Sequence, residues 1–394
     1  MRKCWLLTLA LAPHRVAALV VLPLLGVLLS HAPARPASFG IENTERSGTE
    51  YWTPERLRDA RPMPLPTPTN RSPAAELQQL EPEGGSARAV SVIGSGRGPT
   101  VRVRPDRSNR LFTPAEPATV TTEEATDGAP EDGAVTRDAS SGNGHYSSQP
   151  LVPRSAASSD PYRRVGKLFF RKPGQGDFVC SASVLRPRIL LTAGHCVHSG
   201  KGANGFFDNF RFVPAFDNGN APYGSWNWAF VWTTNTWING GATFPNAADY
   251  AIIELRDRTV NGSLRRIGDV VGFLGFRTGG LYPNHVHMLG YPLNLDNGQR
   301  MRQTTAASFR TTGSNTVEYG SNMRGGSSGG PWVQNFAGDC TGTNCAANRL
   351  PNAVVGVTSY GPVDTAPKYQ GASVFDSRFT QLLNTACAHR AGNC

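Results

Sequence analysis

The 394-residue sequence contains no Cys-x-x-Cys pair, so a thiolate metal site has little to build on. The net charge is +10, but no run of Lys and Arg interleaves with aromatic residues. The basic side chains are scattered, and the charge reads as a surface property rather than a nucleic-acid footprint. The apolar run at residues 17–29 is shorter than the roughly 20 residues a spanning helix needs, and Pro23 interrupts it. Internal repeats are absent, which removes repeat arrays from consideration. No nucleic acid, cofactor, metal or stable membrane insertion is therefore expected.

What is present divides the chain unevenly. Residues 1–34 read as a secretory signal: basic Arg2 and Lys3, an apolar stretch, then Ala32-Pro33-Ala34 as a small-residue cleavage site. There are seven cysteines; loss of Cys4 with the signal leaves Cys180, Cys196, Cys340, Cys345, Cys387 and Cys394. An even set in an exported chain points to disulfides, and six cysteines admit fifteen pairings. Residues 35–160 are rich in Pro, Ala, Ser, Thr, Gly, Arg and Glu, with sparse apolar periodicity. Such composition buries too little apolar surface to offset ordering entropy, so a mostly disordered pro-region is expected. Arg154 and the pair Arg163-Arg164 mark cleavage sites at its border. Only residues 89–93 and 101–103 offer short apolar pieces that would order against the rest.

From residue 161 to 394 the pattern is strand after short strand, punctuated by Gly, Pro and Asn, as in all-β barrels. Strands are expected at 165–170, 178–185, 189–192, 210–213, 227–233 and 250–255. A second group falls at 286–290, 304–310, 316–319, 331–334, 353–359 and 372–375. Asp376 then caps a helix through His389, with Phe379, Leu382, Leu383 and Ala386 at helical spacing. The alternating aromatics Trp226, Trp228, Phe230 and Trp232 fit barrel core better than a carbohydrate-stacking face. His285 and His287 share a strand face without an obvious third ligand, and a structural role is expected of them.

Three stretches carry chemistry. In Arg324-Gly325-Gly326-Ser327-Ser328-Gly329-Gly330-Pro331-Trp332, glycines flank a serine and let the backbone turn sharply towards an incoming carbonyl. A serine hydroxyl needs a partner base, and Ile189-Leu190-Leu191-Thr192-Ala193-Gly194-His195-Cys196 ends a buried-looking strand in a histidine. Together these resemble the chymotrypsin-like serine peptidases. Asp249-Tyr250-Ala251-Ile252-Ile253-Glu254-Leu255 supplies that family's third signature, an aspartate leading an apolar strand. The order His, Asp, Ser is the chymotrypsin order.

The resemblance implies two six-stranded antiparallel β-barrels with the active site in the cleft between them, a boundary near residues 258–266 and a short C-terminal helix. It implies Ser328 as nucleophile, His195 as general base and Asp249 as its orienter, with the Gly326 and Ser328 amides as oxyanion hole. It places Asn322 at the base of the specificity pocket and Ser359, Tyr360 and Gly361 along the substrate-binding strand. It also pairs Cys180 with Cys196, after which Cys340–Cys345 and Cys387–Cys394 complete the set.

Departures from the family pattern set limits. Asn322 is uncharged and gives no basis for a preference for Arg or Lys. Ser327 stands where animal members carry the aspartate that receives a new N-terminal amine. That feature and Gly290-Tyr291-Pro292 are nearer the bacterial V8, or glutamyl endopeptidase-like, branch. Thr358 replaces the histidine usual in glutamate-specific members, so glutamate specificity is not expected. The expectation is a secreted, monomeric serine endopeptidase acting on proteins or peptides. The alternative is a catalytically silent binding module on the same fold.

Overall fold

The computed structural model describes residues 38–44, 51–68, 91–114, 144–338, 350–362 and 368–394. Six strands build a first barrel: β1 (Val165–Lys172), β2 (Gly176–Val184), β3 (Ile189–Thr192), β4 (Asp208–Pro214), β5 (Trp226–Thr234) and β6 (Ala251–Leu255). Hydrogen bonding runs β1-β2-β3-β6-β5-β4 and returns to β1, so the sheet closes into a ring, with stretches of β2 and β5 beyond those pairings open to a further strand. Its interior is aliphatic and aromatic. Leu168, Val184, Leu190, Phe212, Val231 and Ile253 share one face by register and are buried, and each such side chain contributes about 1.5–3 kcal/mol on burial.

A second set follows: β7 (His285–Gly290), β8 (Arg302–Thr312), β9 (Thr316–Gly320), β10 (Pro331–Gln334), β11 (Ala353–Val357) and β12 (Tyr369–Ser373). These pair in the order β12-β9-β8-β7-β10-β11. Beyond β11 a bridge between Tyr360 and Gly371 brings the chain back to β12. The twelve strands overlap those expected from the sequence, and the last begins at Tyr369, three residues before its expected start at 372. An Asn261-Gly262 turn, with both residues at positive φ (50° and 75°), closes a small hairpin of Arg258–Val260 and Ser263–Arg265 between the two sets.

The C-terminal helix spans Ser377–His389, and the Asp376 carboxylate accepts the Arg378 amide at its start. Phe379, Leu382, Leu383 and Ala386 form its buried face, and Phe375 stacks on Phe379 with centroids 4.1 Å apart. The helix end covers the aromatic strand: the His389 ring lies 4.6 Å from Phe230 and 5.0 Å from Trp232. Trp226, Trp228 and Trp232 are buried in the core. His287 packs on Phe336, centroids 5.1 Å apart.

The reading of residues 35–160 as mostly disordered needs correction for the segments described. Ser38–Glu42 adds a strand to β5, pairing Ser38 with Thr234. Trp52 is buried, and its indole N–H donates to the Asn209 carbonyl at 2.6 Å. Pro54–Asp59 forms a helix capped by Thr53. Ile93–Gly94 pairs with Gly275–Arg277, and Tyr146–Pro150 pairs with β8. Phe112 and Leu151 join the core. The physical reason is that short pieces need no periodicity of their own when a finished sheet offers an edge. Residues 89–90, Cys340 and Cys345 lie outside the described residues, as does the expected signal.

Candidate active site

The strand register brings the first two candidate residues together. β6 pairs antiparallel with β3, with Ala251 opposite Thr192, so two residues beyond the ladder Asp249 comes beside Gly194 and His195. Asp249 Oδ1 accepts the His195 backbone amide at 2.8 Å, and Oδ2 lies 2.8 Å from His195 Nδ1. Ser359 Oγ donates to the same Oδ2 at 2.5 Å. Asp249 is fully buried and His195 is 3 % exposed, so this carboxylate is held by three polar partners in a water-poor setting. Gly194 is required here, because a Cβ at that position would meet Asp249 Oδ1 at 2.9 Å.

The surroundings fix the imidazole further. Phe244 packs edge-on to the His195 ring at 5.8 Å, and Trp237 lies 6.3 Å away. Behind it, His198 is buried, and its Nδ1 accepts the Gly200 amide at 2.9 Å. Burial pushes the His198 pKa down to about 4, which keeps that ring neutral. The Cys180–Cys196 disulfide ties β2 to the turn that carries His195. Cys180, His195 and Cys196 are the one group of three His, Cys, Asp or Glu with metal-like proximity among the described residues, and its two sulfurs are bonded to each other. Cys387–Cys394 closes the chain end.

Ser328 arrives from the second set of strands, on the turn leading into β10. Its carbonyl accepts the Ser181 amide at 2.8 Å, and Ser181 Oγ donates to the Gly326 carbonyl at 2.9 Å. Gly329 has φ of 75°, and a Cβ there would meet Thr192 Oγ1 at 2.1 Å. Only glycine lets the serine turn sit this close to the strand that ends in His195. Ser328 Oγ and His195 Nε2 are both buried, and neither makes a hydrogen bond. Catalytic hydrogen bonds of this kind are often long before substrate binds. Fold and motif order are those of the chymotrypsin-like serine peptidases.

The other expected site residues differ in their partners. Ser359 touches Asp249, as above. The Gly361 amide donates to the Pro66 carbonyl at 2.9 Å. Tyr360 turns its ring inward, and its hydroxyl donates to Glu318 Oε1 at 2.8 Å, so it lines the strand by its backbone. Asn322 is half-buried, with Oδ1 enclosed and making no hydrogen bond.

Gln370 escaped the sequence reading. It is fully buried, and its Nε2 donates to Ser327 Oγ at 2.9 Å and to the Met323 carbonyl at 3.2 Å. Its Oε1 accepts Ser321 Oγ at 3.0 Å. The polar residue in an otherwise apolar strand end was the signal available for it. The two basic sites read at the border of the N-terminal stretch differ in exposure. Arg164 is buried against Asp160 through two bonds of 3.0 and 2.7 Å, and β1 starts at the next residue. Arg154, by contrast, is exposed.

No family model matches the chain. It is 26% identical over 190 residues to the extracellular metalloprotease of Bacillus subtilis (strain 168), covering 46% of this chain and 55% of that protein. The chain thus spans about half the length of that curated relative. Among solved structures, the protease Anisep from Arthrobacter nicotinovorans is 27% identical, with 57% of this chain and 96% of that chain covered and a TM-score of 0.47. The thermostable serine protease AL20 from an extremophilic microorganism is 30% identical, with 58% and 98% covered and a TM-score of 0.47.

Proposed function

We propose that the protein is a secreted serine endopeptidase made as a precursor. The observation that carries this reading is the double contact of Asp249 with His195, set against a serine turn that packs on the same strand end. In this reading Ser328 Oγ attacks the scissile carbonyl, and His195 takes its proton and returns it to the leaving amine. Asp249 keeps Nδ1 protonated and stabilises the imidazolium that forms, without being protonated itself. The Gly326 and Ser328 amides receive the oxyanion, a contribution of roughly 3–4 kcal/mol per donor.

Substrate lies along residues 359–361 as an added strand, with Gly361 offering its amide. The neutral Asn322 favours neither an acidic nor a basic side chain in the pocket. Ser327 replaces the aspartate of animal members, and its hydroxyl is engaged by Gln370 and by the Arg324 carbonyl at 2.7 Å. The turn therefore needs no terminal amine to hold it. The described disulfides suit an exported chain, and no described helix is long and apolar enough to cross a membrane. Proteins or peptides are the proposed substrates, and the processed enzyme is proposed to be a monomer.

The test is labelling by a fluorophosphonate, followed by peptide hydrolysis, on protein from which the N-terminal stretch has been processed. A single adduct on Ser328, with hydrolysis lost in Ser328→Ala and His195→Ala, is the expected result. A correctly disulfide-bonded, processed protein that takes no adduct would indicate the silent binding module instead.

A further inference from the structure

The cleft is already occupied by the chain itself. Arg61–Pro62 runs parallel to Phe178–Val179 on β2, and the Met63 amide donates to the Val179 carbonyl at 2.8 Å. The Met63 carbonyl then accepts the amide of Gly326 at 2.9 Å, one of the two donors assigned to the oxyanion. Three residues on, the Pro66 carbonyl accepts the Gly361 amide at 2.9 Å, the contact reserved above for substrate. Between them Leu65 is 3 % exposed, and its Cδ2 is so close that a Cβ at Gly361 would meet it at 2.9 Å. These six residues thus take up the Gly326 amide assigned to the oxyanion and the Gly361 amide assigned to substrate.

The sequence of the segment suits an occupant that is not consumed. It reads Arg61-Pro62-Met63-Pro64-Leu65-Pro66, with proline at every second position. Proline fixes φ and pre-orders an extended chain, so less entropy is lost on binding. The amides that remain belong to Arg61, Met63 and Leu65. The carbonyl on Gly326 belongs to the Met63–Pro64 bond, whose nitrogen sits in a ring and carries no hydrogen. The segment is anchored upstream by buried Trp52 and Leu57 and by Arg61, whose guanidinium donates to the Gln175 carbonyl at 2.7 Å and lies over the Phe178 ring.

We propose that residues 61–66 are a built-in inhibitor that closes the cleft of the unprocessed chain, and that Leu65 marks an apolar subsite beside Gly361. The proposal rests on the peptidase reading of the cleft. It makes latency a matter of occupancy: the His195–Asp249 pair is already assembled while the segment is in place.

The full-length chain tests it through two single variants. Met63→Pro removes the amide that reaches Val179, and Leu65→Asp puts a charge into an apolar contact. Two properties are read in parent and variants: hydrogen exchange at the Gly326 and Gly361 amides, and the rate of fluorophosphonate labelling of Ser328. Thermal melts check that the barrels stay folded, and two variants guard against one of them failing. The expected result is faster exchange at both amides with labelling accelerated by about tenfold or more, the factor expected for losing about 1.4 kcal/mol of occupancy. Unchanged exchange in both folded variants would overturn occupancy of the cleft. Faster exchange with labelling already rapid in the parent would overturn inhibition while leaving the peptidase reading intact. Faster exchange with no labelling of any form would overturn both, because the serine would then lack reactivity for the segment to restrain.

Discussion

The barrels and the N-terminal stretch reach order by opposite routes. Each barrel strand carries its own apolar residues and finds partners of the same kind, so the first ring closes on itself. The N-terminal pieces have one or two anchors each, such as Trp52, Leu57, Phe112 and Leu151, set among prolines and small polar residues. They complete their hydrogen bonds on edges and loops that the barrels supply. The barrels therefore own their stability, while the N-terminal pieces borrow theirs. A cover held in this way can be removed without dismantling what lies beneath.

The sharpest test of that division is chemical. Ser328→Ala is expected to lower kcat by about 10⁴ or more, as removal of a nucleophile does in serine peptidases, with no change in melting temperature. Loss of hydrolysis together with unfolding would mean that the serine turn is structural. Next in size, Trp52→Ala removes an indole from the seam between the regions and should cost about 3–5 kcal/mol of packing. If the stability is borrowed, the loss appears as rapid proteolysis within residues 51–68 while the barrel melt stays close to the parent value. A matching fall in the barrel melt would erase the distinction between the two regions.

Gln370→Ala leaves Ser327 and Ser321 without their buried partner, and kcat should drop by roughly 10–10² as the Gly326 amide loses its fixed position. KM should move less, and Gln370→Glu should recover only part of the loss. An equal rise in KM with kcat unchanged would make Gln370 a pocket wall rather than a positioning residue. A separate effect concerns a buried charge on the other face of β1. Lys167 is buried, donates to the Gly298 carbonyl at 3.0 Å and lies 4.7 Å from the Phe216 ring centroid. Burial lowers its pKa from 10.5 to about 7. Between those values the unfolded chain binds a proton that the folded chain does not, so stability should rise as pH increases from about 7. Urea unfolding of Lys167→Met should show a flatter profile across that window. A profile identical to the parent would mean the ammonium is solvated.

The barrels were legible because short apolar or alternating runs stand between Gly, Pro and Asn punctuation, and the helix because Asp376 and four apolar positions mark one face. His195, Asp249 and Ser328 were legible because each sits in a local motif. Gln370 was not, since its partners come from residues 321, 323 and 327, which no local pattern joins to it. Residues 61–66 were misread for a related reason: alternating prolines look like unstructured chain until a groove of the right shape is present. The enclosure of Arg164 was not legible, because a basic pair gives no hint that Asp160 and a buried strand will surround it.

The amide lock on Ser327 has a consequence for how the mature protein would look in a tube. Where a new terminal amine completes an active site, one cut at one bond is obligatory, and any trimming abolishes function. Here the turn is held by the neutral side chain of Gln370, which no cut in the N-terminal stretch alters. Several proteases, cutting at different bonds beyond residue 66, would then yield equally competent products once the 61–66 segment is released. A purified preparation should show ragged starts by mass and a single specific activity, so that maturation tolerates whichever protease the surroundings provide.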